Sequence, residues 1–304
     1  MISGVINVYK EKGITSFGVI ARLRGILGVR RMGHTGTLDP DACGVLPVCI
    51  GGATKLAGIL TGEDKTYRTR MHLGITTDTQ DIGGKVLSEK PVESSAEEVR
   101  RAVLSFVRVY DQLPPMYSAL KVNGQKLCDL ARKGKTVERK ARPVTIYSIE
   151  IEKLELPLVS MTISCSRGTY IRTLCQDIGD LLGCGACMES LERTRTGPFI
   201  KEESHTLSQI EQSVRDGKLG DILIPADSFF PDVPRAGVPE EDQVLLRNGN
   251  PLPVRDILPL PGENGYEQDS LPDEIRLYTA QGQFAAVYTY KKDKGLYWPE
   301  KMFI

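Results

Sequence analysis

The chain has 304 residues, 40% hydrophobic and 26% charged, and its 39 basic and 39 acidic side chains cancel to zero net charge. That length suits about two domains, and that apolar share excludes a chain disordered throughout. No apolar run approaches the ~20 residues of a bilayer-crossing helix, and residues 1–7 lack the basic stretch and apolar core of a secretory leader. Seven scattered cysteines read as reduced thiols, so a cytoplasmic protein without membrane contact is expected.

In chain order, residues 4–8 read as a short strand. Thr15-Ser16 then caps a helix whose apolar positions Phe17, Ile20, Leu23 and Leu27 share a face until Gly28 closes it. Residues 33–47 carry three glycines and two prolines, which predicts an irregular loop that straightens only in the apolar run 45–50. A strand at 67–73 puts Tyr67, Thr69, Met71 and Leu73 on one face and Arg68, Arg70 and His72 on the other. Ser95 with Glu98 forms a capping box for a helix carrying Val99, Val103, Phe106 and Val107, and Leu113-Pro114-Pro115 breaks the chain behind it. Strands are expected at 144–151 and 159–165, the latter with Val159, Met161, Ile163 and Cys165 buried. An amphipathic helix at 169–182 is stopped by Gly183. Seven prolines between 231 and 261 then mark a change of composition, with short strands at 275–278 and 284–290. The mixture predicts an α+β fold spanning 1–231 and a small all-β domain spanning 232–304.

The neutral total hides two opposed segments. Residues 121–142 hold eight basic side chains against two acidic ones, whereas residues 211–274 hold fourteen acids against five bases. A basic run is either a solvated face or a footprint for a polyanion.

The loop Gly33-His34-Thr35-Gly36-Thr37-Leu38-Asp39-Pro40-Asp41-Ala42-Cys43-Gly44-Val45-Leu46-Pro47 concentrates a histidine and two carboxylates on a backbone that glycine lets approach a ligand. An ordered turn capped by Asp39 or Asp41 is the plainer reading. It is not a phosphate-binding loop, because no Lys-Ser/Thr pair follows a glycine at the required spacing. A metal held by Asp39 and Asp41 is disfavoured, since Pro40 fixes the backbone between them. A single carboxylate acting as nucleophile or base fits better, and it needs a nearby arginine to stay ionised in a partly dry pocket. Asp78 and Asp81 suit either a Mg²⁺ site or an acidic turn. The lone Cys184-Gly185-Ala186-Cys187 pair lacks the partners zinc requires. Tyr67 is either a core tyrosine or a platform that stacks a base. Arg172 falls in a first helical turn, where the dipole disfavours a cation, so it calls for a carboxylate or phosphate partner.

Several of these segments, in one order, resemble the TruB family of tRNA pseudouridine synthases. They are the 33–47 loop, Lys65-Thr66-Tyr67, residues 73–84, Pro114-Pro115-Met116-Tyr117-Ser118-Ala119-Leu120-Lys121, residues 165–172, and residues 182–186 with Leu191 behind them. The resemblance is strong over residues 1–200 and looser beyond, where the family carries a small PUA-type barrel. It implies a pseudouridine synthase domain with a mixed, mostly antiparallel sheet and a PUA-like C-terminal domain. By position it implies three catalytic residues: Asp39 as nucleophile, Arg172 as its ionic partner, and Tyr67 stacked on the target base and taking part in proton removal. His34 then fills the space of the flipped nucleotide, Tyr170 and Leu191 line the pocket, and Lys65 belongs to the substrate-binding set. The basic insertion at about 115–143 closes over the RNA. The substrate so implied is the T-arm loop of tRNA, at uridine 55 in tRNA numbering. No cofactor and no metal are expected, and the partner is tRNA alone, bound by a monomer that needs no protein partner. A tRNA-folding aid on the same scaffold is the alternative. Asp41 and Cys43 depart from the commonest family pattern, and an inward-pointing Asp41 would raise the pKa of Asp39.

Overall fold

A computed structural model of the chain describes residues 2–122, 124–260 and 271–304. Its larger sheet has nine strands. Seven lie side by side in the order Gly4–Lys10, Cys43–Ile50, Ala186–Thr196, Lys65–Leu73, Leu158–Cys165, Arg142–Glu155 and Val109–Gln112. Met32–His34 pairs with Cys43–Ile50, and Phe199–Ile200 with Ala186–Thr196. Every pairing is antiparallel except one: Cys43 and Gly44 run parallel to Glu192 and Arg193. The mixed, mostly antiparallel sheet expected of the α+β fold is therefore present.

Alternation places the core. Lys65–Leu73 and Leu158–Cys165 pair with Tyr67 opposite Ile163, Thr69 opposite Met161 and Met71 opposite Val159, so one apolar face is continuous across both strands. Val159, Met161, Ile163 and Cys165 have no exposed surface. Helices Ala96–Leu104 and Ile171–Leu181 cover that face through Val99, Val103, Leu174 and Ile178, each burial contributing roughly 1.5–3 kcal/mol. On the opposite face, Arg68 and Arg70 pair with Glu152 and Glu189 at 2.7 and 2.6 Å. Their charges are paired with carboxylates, and both arginine side chains stay exposed.

Local signals explain the helices and two departures from expectation. Thr15 caps Ser16–Leu27 by accepting from Gly18 N, and Gly28 ends it in the left-handed region. The buried stripe is Ser16, Val19, Ile20, Leu23 and Leu27, while Phe17 stays 67% exposed against Arg24. Phe17 lies off the stripe because position 17 is rotated away from the face that 16, 20, 23 and 27 define. The capping box of Ser95 and Glu98 forms as expected, but the helix stops at Leu104, so Val107 is 40% exposed while Phe106 is buried. Helix Ile171–Leu181 starts two residues later than its pattern suggests, because the Thr169 hydroxyl turns back to Ser166 O at 2.9 Å.

The C-terminal all-β domain is a six-stranded sheet in the order Leu252–Pro253, Leu296–Met302, Phe284–Lys291, Glu274–Tyr278, Arg235–Gly237 and Leu258–Pro259. A five-residue helix, Gln243–Arg247, interrupts the strand-only expectation. Residues 261–270 of the acidic stretch lie outside the described residues. The sheet has its own core around Leu277, Ala286, Tyr288 and Tyr297. It also shares one with the larger sheet, where Val287 and Phe303 join Val5, Val45, Cys49 and Leu56. Phe303 O lies so close to Gly52 that any side chain at 52 would collide with it. No described helix is long and apolar enough to cross a membrane.

Candidate active site

The 33–47 loop is irregular from Thr35 to Ala42, and three side chains from other elements hold it. Lys10, fully buried at the end of the first strand, donates from Nζ to Pro40 O at 3.1 Å and Ala42 O at 2.6 Å. The Ser16 hydroxyl accepts from Leu38 N at 2.9 Å and donates to Leu38 O at 3.1 Å. Arg193, 1% exposed, donates to Val45 O at 2.8 Å and Gly36 O at 3.1 Å. Gly44 has φ +112°, and the Arg193 backbone presses against its Cα where a Cβ would stand; only glycine satisfies both demands. These anchors leave Asp39 at the rim, its side chain 40% exposed, facing the start of helix Ile171–Leu181.

There Arg172 meets it. Nε lies 3.1 Å from Asp39 Oδ2 and Nη2 lies 3.4 Å from Oδ1. Nη2 also donates to Tyr117 O at 2.8 Å, while Nη1 donates to Thr79 O at 3.1 Å and Asp81 Oδ2 at 3.3 Å. Four hydrogen bonds from Nη1 and Nη2, with the ionic contact of Nε to Asp39, thus occupy the guanidinium. The Arg172 side chain is only 6% exposed, so its charge is tolerable through that complete set. Three separate segments meet on one side chain: the 33–47 loop, the turn after Ile75–Thr77, and the root of the basic insertion.

The electrostatics of Asp39 balance opposing influences. Burial pushes its carboxyl above the usual carboxylate range, the Arg172 guanidinium pulls it back, and the Asp81 charge pushes it up again. Lys10 then lowers it and Asp41 raises it, and the net direction is upward. Asp81 thus outweighs Asp41 as the neighbouring acid. Asp81 Oδ1 accepts from the Thr79 hydroxyl at 2.8 Å, and Asp78 Oδ1 accepts from Lys85 N at 2.8 Å. Asp78 therefore caps the turn, whereas Asp81 serves Arg172.

The other expected residues gather around this pair to differing degrees. Tyr67 is 7% exposed, and burial raises its phenol while the adjacent Arg193 guanidinium opposes the shift. Asp39 is close enough to add to that rise. Tyr170 caps the helix that carries Arg172; burial raises its phenol first, with Ser118 and the Arg172 charge opposing. Leu191 is half-buried against the main core, and its carbonyl lies 3.8 Å from Cys43 Sγ. His34 is half-buried, its Nδ1 has no partner within the protein, and burial lowers its pKa with Arg193 adding to the effect. Lys65 turns to its own segment, donating to Thr61 O at 3.3 Å and to Glu63 O, and burial lowers its pKa to about 8. Seven of the eight basic residues in 121–142 are exposed, Arg139 being half-buried with Nη1 on Pro114 O at 2.8 Å. The remaining motifs do not join the site: Cys184 and Cys187 are buried free thiols.

The sequence does not mark Lys10 or Arg193, and it marks Asp81 only as a Mg²⁺ ligand or part of an acidic turn, not as a partner of Arg172. Asp81 lies inside the 73–84 segment that carries the family resemblance, yet its acidic turn reads as a cap until Arg172, 91 residues away, is seen beside it. Arg193 sits two residues after Leu191, on a strand whose single parallel register sets it behind the loop.

Comparison with known proteins fits this geometry. The family model described as TruB family pseudouridylate synthase (N terminal domain) matches residues 24–171, and tRNA pseudouridylate synthase B C-terminal domain matches 172–230. A tRNA pseudouridine synthase B of Lachnoclostridium phytofermentans is 49% identical over 311 residues, covering 100% of both chains. One from Clostridium novyi is 47% identical over 85% of this chain and 88% of its own. Among solved structures, a Cbf5-Nop10-Gar1 complex aligns over 99% of this chain and 85% of its own, with a TM-score of 0.67 and 27% identity. The fold and site thus define a pseudouridine synthase, an isomerase acting on RNA. The chain belongs to the TruB family of tRNA pseudouridine synthases.

Proposed function

We propose that this chain converts uridine to pseudouridine in the T-arm loop of tRNA, at position 55, with Asp39 as the nucleophile. The observation that carries the reading is the Asp39–Arg172 pair at 3.1 Å, placed at the rim of a buried polar network. The reaction breaks the bond from uracil N1 to ribose C1′, turns the base and joins C5 to C1′. The C5 proton is lost to solvent and N1 gains a proton, so reactant and product are isomers with no change of oxidation state, and the chemistry asks for no metal or redox cofactor. The carboxylate attacks either C1′ or C6 of the base; both routes need it ionised and held in line, which a planar two-pronged arginine does. The target must leave its stack, at a cost of a few kcal/mol. Tyr67 stacks on the uracil, Tyr170 and Leu191 line the pocket, and His34, with its unpartnered Nδ1, fills the gap left in the RNA.

The exposed basic side chains of the insertion supply phosphate contacts, since phosphates dominate RNA affinity. The chain divides into a synthase domain at 1–231 and a PUA-like domain at 232–304, and it acts on tRNA as a monomer without a guide or protein partner. The test is release of tritium from C5 of uridine in a T-arm stem–loop RNA, without added metal. Product formation by the wild type and its loss in Asp39→Ala, with RNA binding kept, support the reading. An Asp39→Ala protein that turns over normally would remove it and leave the RNA-folding role.

A further inference from the structure

Gln80 is the one non-glycine residue, among those described, with a positive φ, +66°. A side chain in that region crowds its own carbonyl, so the conformation persists only where surrounding contacts hold it. The backbone contacts are in place: Met188 N donates to Gln80 O at 3.0 Å, and Ile82 N donates to Met188 O at 2.9 Å. The side chain has its own partner. The hydroxyl of Thr173, 2% exposed, donates to Gln80 Oε1 at 2.8 Å. Two consecutive helix residues, Arg172 and Thr173, therefore grip two consecutive turn residues, Asp81 and Gln80.

We propose that Gln80 and Thr173 are positioning residues for the modification reaction. Their hydrogen bond holds the left-handed turn against the helix, and so keeps Thr79 O and Asp81 Oδ2 on Nη1 of Arg172. The physical link is the rigidity of the guanidinium. Nη1 and Nε belong to one plane, so fixing Nη1 with two acceptors fixes the direction in which Nε meets Asp39. If the Thr173 hydroxyl is lost, Gln80 relaxes toward an ordinary backbone conformation. The peptide between Thr79 and Gln80 then rotates, and the acceptors on Nη1 leave together. Asp81 is a like charge that raises the Asp39 carboxyl, so its departure also lowers the pH at which Asp39 ionises.

This inference rests on the reading of Asp39 and Arg172 as the reacting pair, and the experiment separates the two. Single-turnover tritium release is measured at saturating stem–loop RNA for full-length Thr173→Val, Thr173→Ser, Gln80→Ala, the Thr173→Val/Gln80→Ala double variant and Asp39→Ala. Thr173→Val is expected to slow the chemical step about five- to tenfold, the scale of one neutral hydrogen bond, with RNA affinity within about twofold of wild type. Thr173→Ser, which keeps the hydroxyl, returns to near the wild-type rate. Gln80→Ala slows the step similarly, and the double variant is no slower than the worse single variant, because both break one contact. The acid limb of the rate profile moves to lower pH in Thr173→Val. A wild-type rate in Thr173→Val, an equal loss in Thr173→Ser, or multiplying losses in the double variant would overturn the proposal. Should Thr173→Val not fold, Gln80→Ala alone decides by its rate and acid limb. An active Asp39→Ala sinks the reaction assignment; an inactive one beside a normal Thr173→Val sinks only this inference.

Discussion

Asp39 and Asp81 occupy different edges of one guanidinium, with Asp39 Oδ2 3.1 Å from Nε of Arg172 and Asp81 Oδ2 3.3 Å from Nη1. The two acids repel each other, and Arg172 is the group that makes their approach tolerable. Asp39 keeps a 40% exposed side chain while Asp81 keeps 29%, so Asp39 is the more open of the two.

Replacing Arg172 by lysine preserves one charge but offers three donors from a point where five were directed along a plane. Carbonyls of Thr79 or Tyr117 then go unmet, and Asp39 loses its two-point contact. We expect Arg172→Lys to slow single-turnover product formation by about a hundredfold or more while RNA affinity changes little. A rate within threefold of wild type would show that the planar contact is dispensable.

The upward shift of Asp39 has a pH consequence. A carboxylate that must be ionised to react loses activity as pH falls through its folded pKa, so the acid limb of the rate lies above the ordinary value of 3.8. The same shift bears on stability with opposite sense. The folded protein holds the proton more tightly than the unfolded chain, so stability declines as pH rises from 3.8 through the shifted value. Asp39→Asn, which cannot ionise, should melt no lower than wild type at pH 7. A clear drop in its melting temperature would mean that the Arg172 contact outweighs the burial cost.

Lys65 offers a second titration. Its pKa falls from 10.5 to about 8 on folding, so the unfolded chain binds the extra proton between those values, and wild-type stability rises across that window. Lys65→Met has no such proton. The stability difference between the two proteins should therefore change with pH between 8 and 10.5, by about 2 kcal/mol after allowing for solvent screening. Urea melts at several pH values read this directly, and parallel curves would contradict it.

Gly44 tests the loop's frame. With φ +112° and the Arg193 backbone against its Cα, Gly44→Ala combines backbone strain with a clash. We expect about 2–4 kcal/mol of lost stability, with tritium release falling in step as the 33–47 loop moves. A melt equal to wild type would show that the parallel pairing at Gly44 and Arg193 yields easily.

Much of this arrangement was legible in the sequence, for identifiable reasons. Alternating positions in 67–73 and 159–165 report their buried face directly, and the capping pairs at Thr15 and Ser95 act within a few residues. Asp39 stood out because its loop is poor in long charged side chains, and Arg172 because a cation at a helix start needs explanation. Lys65 was grouped with the substrate-binding residues, but its ammonium is turned to the carbonyls of Thr61 and Glu63. Lys10, Arg193 and the tie of Asp81 to Arg172 stayed hidden because the partners are distant in sequence; Arg193 reaches Gly36 across 157 residues. Phe17 was misplaced because hydrophobicity alone does not say which flank of a helix is covered.

That long reach between Gly36 and Arg193 also sets when the site comes into being. During synthesis the 33–47 loop leaves the ribosome early, yet Arg172 and Arg193 follow more than a hundred residues behind it. Contacts so far apart in the chain form late and together. A nascent polypeptide ending before Arg193 therefore carries Asp39 without the frame that aims it, and the frame is complete only once Arg193 has been made.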